Sequence, residues 1–326
     1  MHIKYERMVY MAKNIAKMEV ALACVLGVSF AIGGLVNAAP AENATVKVEV
    51  ISTVVEEAAS GIKGVIDWAK GDDANVTAIG IGVPNPKVSA AQGTAMARTA
   101  AIVDAQRNLL SVIKGAQIDA DTLVEDMMVT SDVVKRKIGG VLVGAVILEE
   151  GQNPDGSYIV KMGVPLYGSE KSVAAAVMPE VVKDIVTEPI PTVDVEETTL
   201  APEAVKEVKT VLYTGIVIDA DGLGLQPTFS PVIYDTNGRV IYGIKNLDKE
   251  AAISKGVVGY ANEVGKATYG SRAGDNPLVI KAVEVRGGMN SVNKVNVVVS
   301  VEDADKILLA NEVSHMLDAC AVVFVK

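Results

Sequence analysis

Cysteine, histidine and aromatic side chains are scarce in this sequence. Its 326 residues hold 2 Cys, 2 His, 1 Trp and 3 Phe, and aromatics make up only 4%. Two cysteines leave no room for a disulfide framework or a Cys-rich metal site. Basic side chains are also in deficit: 30 Lys+Arg against 40 Asp+Glu give a formal net charge of -10. A protein that coats nucleic acid needs a positive field to gain counterion-release free energy, so that class is excluded as a partner. What is present is apolar. Hydrophobic residues reach 50% of the chain, too many for a disordered one. The length suits about two domains of about 100–200 residues each.

Residues 1–38 read as an export signal. Lys4, Arg7, Lys13 and Lys17 form a basic start, and residues 20–36 follow without a charge. Val36-Asn37-Ala38 then offers a cleavage site before Ala39. A retained anchor is the competing reading, although the apolar run sits at the short limit for a bilayer span. Lipid attachment at Cys24 would need a better lipobox than Ala21-Leu22-Ala23, because Cys24 lies inside the run. Membrane association is therefore not expected through that cysteine. Removing the leader takes away four basic and two acidic residues and leaves 26 against 38, a net of -12. His315 and Cys320 are then the last of their kinds.

Periodicity predicts two α+β domains, each a mainly antiparallel sheet packed with helices, over residues 39–185 and 208–326. Helical spacing of Val50, Val54, Val55, Ala58, Ile62, Val65, Ile66 and Ala69 predicts a helix over 48–70, with Trp68 as a packing residue. A strand follows at 76–83. A helix at 89–114 places Ala97, Ala101, Ala105 and Leu109 on one face, widened by Ala100 and Leu110, and Gly115 caps it. Further expectations are a strand near 117–126, a helix from Ser131 to Ile138, strands at 141–150 and 157–166, and a helix near 169–184. Residues 186–207 hold Pro189, Pro191, Pro202 and six acids, and read as a linker. Beyond it come strands at 211–220, 278–286, 293–300 and 321–325, and helices at 248–261 and from Ser300 to about Asp318. Asn237-Gly238 predicts a type I′ hairpin between 231–234 and 239–242.

Candidate chemistry is thin. Gly80-Ile81-Gly82 after a strand invites a dinucleotide loop, but Asn85 stands where the third glycine belongs. The simpler reading has these glycines giving the strand room beside the alanine-rich helix. Asp219-Ala220-Asp221-Gly222 and Asp235-Thr236-Asn237-Gly238 each resemble half a calcium loop, yet position 12 is Ser230 or Asn246, not Glu. Turn chemistry explains both, and Asp219 with Asp221 remains a weak cation candidate. His315 lacks a nucleophile-elbow companion and reads as solvent-facing. Cys320 reads as a buried small hydrophobe, and Lys135-Arg136-Lys137 as a surface helix face. No catalytic residue, cofactor site or metal-ligand set is assigned.

AIGIGVPNP (residues 78–86), AMARTAAIVDAQRNLLSVIKG (95–115) and YIVKMGVPLYG (158–168) together resemble the twenty-kilodalton surface lipoprotein (Lpp-twenty) family. A related module forms the N-terminal part of flagellar assembly protein T. Arg98, Asp104, Arg107 and Asn108 are the polar members of the shared helix pattern; local ion pairs such as Asp104–Arg107 are their expected role. The segment 213–243 is similar to a domain that accompanies this module in secreted bacterial proteins. The resemblance implies an exported, non-enzymatic envelope protein that contacts other envelope proteins or itself. The alternatives are a secreted binding module for a cation or cell-wall glycan, and a carboxylate-based hydrolase.

Overall fold

The computed structural model describes residues 63–326 apart from 197, 269–270 and 289–290. The leader and the first part of the helix read at 48–70 lie outside these residues. Contacts divide the chain into Met1–Lys47 and Val48–Lys326, and the described residues all belong to the second unit.

Strand β1 (Gly64–Asp67) occupies the end of the segment that helical spacing had suggested. The β-branched pair Val65-Ile66 is captured by β2 (Asn75–Gly82), opposite Thr77 and Val76. A 3-10 turn (Trp68–Asp73) joins them. Helix α1 (Ala90–Lys114) starts where Ser89 Oγ accepts the Gln92 N–H, and its buried stripe runs Ala97, Ala101, Ala105, Leu109, Ile113. Ala100 is exposed and does not join that stripe. The strand expected near 117–126 is replaced by one bridge, Gln117 to Leu123, and by helix α2 (Val124–Thr130). Asp119 Oδ1 accepts the Asp121 and Thr122 N–H groups, and Asp126 accepts from Leu123 N. These local bonds compete with strand pairing and turn the chain into a helix. Ser131 caps α3 (Asp132–Val143), which carries exposed Lys135, Arg136 and Lys137. Strands β3 (Val146–Gln152) and β4 (Tyr158–Pro165) form a hairpin, and α4 (Val173–Val181) follows. The first sheet has the order β1-β2-β4-β3, all antiparallel.

Residues 186–201 carry no regular element, in keeping with their prolines, yet they lie against the second half. Glu188 N donates to Lys245 O at 2.8 Å, and Thr198 Oγ1 donates to Asp305 at 2.9 Å. Helix α5 (Pro202–Thr210) begins with Pro at its first position, where no N–H is missed. It occupies the end of the expected linker, and the strand read at 211–220 starts late and shrinks to β5 (Ile216–Asp219) after an irregular stretch at 211–215.

The remaining elements are β6 (Ile233–Asp235), β7 (Val240–Tyr242), α6 (Lys249–Ser254), β8 (Gly259–Ala261) and α7 (Val264–Thr268). After them come β9 (Leu278–Lys281), β10 (Glu284–Arg286), β11 (Asn296–Val299), α8 (Val301–Ser314) and β12 (Val322–Val325). The expected helix at 248–261 stops early because Gly256, at φ +76°, turns the chain into β8. The stretch 278–286 serves two sheets: β9 joins β8-β12-β5-β9, and β10 joins β10-β11-β6-β7. The hairpin of β6 and β7 is present, but only Gly238 has a positive φ, so the turn is not type I′. A longer loop closed by one left-handed glycine fits.

The α+β class holds: eight α-helices among the described residues pack with sheets whose strand pairs are mostly antiparallel. The third sheet is wholly parallel. Its central strands are buried except at half-buried Asp219, as parallel sheets require, and so read VVFV and IVID without alternation.

One core runs through both halves. Trp68 packs edge-on against Phe229 at 5.1 Å, Tyr260 at 5.7 Å and Tyr167 at 6.5 Å between ring centroids. With so few aromatics, three of the five ring contacts among the described residues centre on this one indole. Elsewhere the core is alanine, valine, leucine and isoleucine.

Candidate functional site

The residues of the helix pattern form a seam between α1 and β2. A side chain on Gly80 would put its Cβ 2.1 Å from Ala101 O and Ala105 N; on Gly82 it would lie 1.9 Å from Ala97 O. The glycines let the helix backbone lie directly on the strand. Asp104 does not pair along its helix with Arg107. Its Oδ2 accepts the Ile81 N–H at 3.1 Å, and Asn108 Nδ2 donates to Ile79 O at 2.7 Å. Both side chains thus satisfy backbone groups on the β1 side of β2. Arg98 reaches β3, where Nε and Nη2 meet the Glu150 carboxylate at 2.7 and 3.2 Å. The hydrogen bond and charge of Glu150 raise the pKa of the Arg98 guanidinium. Arg107 stays exposed and lines a shallow groove of about 580 Å³ with Met96 and Val103.

Asp219 and Asp221 are not brought together around an ion. Asp219 Oδ1 accepts the Asp221 N–H at 3.1 Å, and Gly222 and Gly224 take φ of +77° and +76°. That is turn chemistry. Among the described residues no group of three or more His, Cys, Asp or Glu is arranged to hold a metal ion.

The second acidic loop hides a feature that the sequence did not reveal. Asp235 and Asp305 are both buried, and Arg239 bridges them, with Nε 2.9 Å from Asp235 and Nη2 2.7 Å from Asp305. Asp235 Oδ1 accepts the Asn237 and Arg239 N–H groups, and Asp305 Oδ2 accepts from Thr198. Burial lowers the pKa of Arg239, but its hydrogen bonds to Asp305 and Asp235 outweigh that and raise it. All four carboxylate oxygens are committed, and the triad clamps α8 to the β6–β7 hairpin and to Thr198. It borders a cavity of about 330 Å³. A hydrolytic pair would need one carboxylate free to exchange a proton, and this arrangement commits both.

His315 caps α8 in the left-handed region (φ 51°), is largely exposed and sits 3.5 Å from Asp318. Cys320 is buried, and burial pushes its thiol pKa up.

Two surfaces remain. The first is a cavity of about 400 Å³ where the edge strand β8 meets the 3-10 turn, lined in part by Lys70, Lys266 and Arg272. The second is the open side of β3. That strand ends the first sheet, and no described strand pairs with its outer edge. Val146, Ile147 and Leu148 there are 56, 37 and 49% exposed. A register shift between Ile147 and Glu149 marks a bulge, and Leu148 lies over Gly163, whose Cβ would meet Leu148 Cδ1 at 2.8 Å.

The described chain is thus an α+β unit of three four-stranded sheets with one shared core and an exposed apolar strand edge. Residues 215–326 match a family model described as Treponema pallidum Tp0624, second domain. The match covers β5 to β12, the two sheets of the C-terminal half. No curated protein matches the chain.

Proposed function

We propose that this protein is an exported, non-enzymatic structural or assembly component of the cell envelope, acting through protein–protein contacts. The observation that carries the reading is the outer edge of β3. Val146, Ile147 and Leu148 present exposed apolar side chains on a strand whose outer edge no described strand pairs with. Exposed apolar strand edges invite pairing with another chain, and folds that do not use them usually blunt them with Lys, Pro or a bulge. Here the bulge is present with Glu149 and Glu150 beyond it, but Val146, Ile147 and Leu148 leading into it are apolar and exposed. Strand addition gives such an edge both hydrogen bonds and side-chain pockets for a partner. The basic and apolar leader supports export, and the resemblance of residues 78–168 to the Lpp-twenty module supports the envelope. A flagellum-associated role rests on that same resemblance.

Fractionation of tagged protein with N-terminal sequencing tests the first half of this reading. It should place the chain in the envelope or outside the cell with Ala39 as its first residue. Recovery in the cytoplasm with residues 1–38 intact would contradict it.

A further inference from the structure

The geometry points to a binding site for a small oxyanion, a molecule carrying a phosphate or carboxylate group, in the cavity beside β8. Among the described residues lining it, three carry a positive charge, Lys70, Lys266 and Arg272, against the negative charge of Asp73. In a chain of net charge -10 the lining residues themselves carry more positive than negative charge. A concave site of one sign concentrates counter-ions of the other. The cations come from two distant parts of the chain. Lys70 lies on the 3-10 turn, Lys266 on α7 and Arg272 on the loop after it. They converge only because Trp68 anchors the turn against Tyr260 of β8.

Arg272 is fixed in place. Nη1 donates to Gly256 O at 3.3 Å and Nη2 to Lys255 O at 2.6 Å. Its stem crosses Gly259, where a Cβ would lie 3.1 Å from Nε and 3.4 Å from Cδ. A glycine at that point leaves the arginine its path across the strand. Positioned guanidinium groups recognise carboxylate and phosphate better than mobile ammonium groups do. Lys70 and Lys266 supply the mobile part. Each is exposed and pairs with a neighbour on its own segment, Asp67 at 3.3 Å and Glu263 at 3.1 Å. Exposed pairs of this kind contribute little, so both ammonium groups are available to turn toward an anion. The volume of about 400 Å³ suits a small metabolite.

Calorimetry on the full chain tests this site, with pyrophosphate and citrate as probes and ionic strength matched with sodium chloride. At least one probe should bind with one site per chain. The double variant Lys70→Ala/Lys266→Ala should weaken that binding by about tenfold while melting like the parent. Lys245→Ala/Lys249→Ala, two lysines remote from the cavity lining, should leave it unchanged. Binding of pyrophosphate alone assigns a phosphate ligand; binding of citrate alone assigns a carboxylate. Arg272→Gln should abolish binding, and the lysine pair keeps the test decisive if that variant fails to fold. The site is refuted if neither probe binds, or if the cavity pair and the remote pair weaken binding equally. These outcomes do not bear on the β3 contact surface.

Discussion

Adding one methyl group to the seam between α1 and β2 should be far more damaging than its size suggests. In Gly80→Ala the new Cβ would start 2.1 Å from Ala101 O and Ala105 N and 2.8 Å from Ala105 Cα. Ordinary contact begins near 3.4 Å, so helix and strand must part by about 1.3 Å. No rotamer relieves this, since the atoms struck are backbone. Overpacking of this kind costs about 1–3 kcal/mol. Separation also stretches the Asp104–Ile81 and Asn108–Ile79 hydrogen bonds, at about 0.5–1.5 kcal/mol each. The total is about 2–6 kcal/mol, or roughly 4–24 °C in Tm at about 2–4 °C per kcal/mol. Urea unfolding followed by circular dichroism reads it. Ala105→Gly should not rescue the variant, because it removes a Cβ that was not the obstacle. Gly139→Ala is the control: no atom lies within 4 Å of its Cβ, on an exposed face of α3, so it should stabilise by about 0.5–1 kcal/mol. A Gly80→Ala variant within 1 kcal/mol of the parent would refute the close-approach argument.

Trp68→Ala should cost about 3–5 kcal/mol. Hydrogen exchange should show β4 and β12 losing protection together, whereas loss in one half alone would break the shared-core description. Stability should hold below about pH 8.5 and fall as pH rises past the unfolded values for Cys and then Tyr, near about 8.5 and 10. The sign follows because burial raises the folded pKa of Cys320, Tyr167, Tyr242 and Tyr260, so the unfolded chain loses its protons first. For the same reason Cys320 should resist alkylation at pH 8 until the chain unfolds, as mass mapping of its peptide would show. His315→Gly should stabilise by about 1 kcal/mol in thermal melts, since it frees a left-handed helix cap of its Cβ while losing only an exposed contact with Asp318.

Local pattern made much of the fold legible. The alanine stripe of α1 and the small residues opposite it could be read because both sides of that contact are periodic. Ser89, Ser131 and Ser300 cap α1, α3 and α8 through their own side chains, which sequence can show. Val65-Ile66 misled because two β-branched residues fit either period, and β2 decided between them. The parallel sheet was hidden for a related reason. A strand buried on both faces loses its alternation, and VVFV does not announce its neighbours. The polar sites were the least legible. Asp104 and Asn108 looked like helix surface but reach a strand 23 and 29 residues away in sequence. Arg239 and Asp305 are 66 residues apart, and Lys70 and Arg272 line one cavity from well-separated parts of the chain. Only tertiary packing joins such groups.

The central claim, contact through the β3 edge, is tested most directly by a photo-crosslinking residue placed at Glu149 in living cells. A matched residue at Lys281, far along the chain on β9, serves as the control. The account expects discrete adducts from position 149 in the envelope fraction, lost when Leu148→Lys is added, and none from position 281. Adducts absent from position 149, or insensitive to Leu148→Lys, would contradict it.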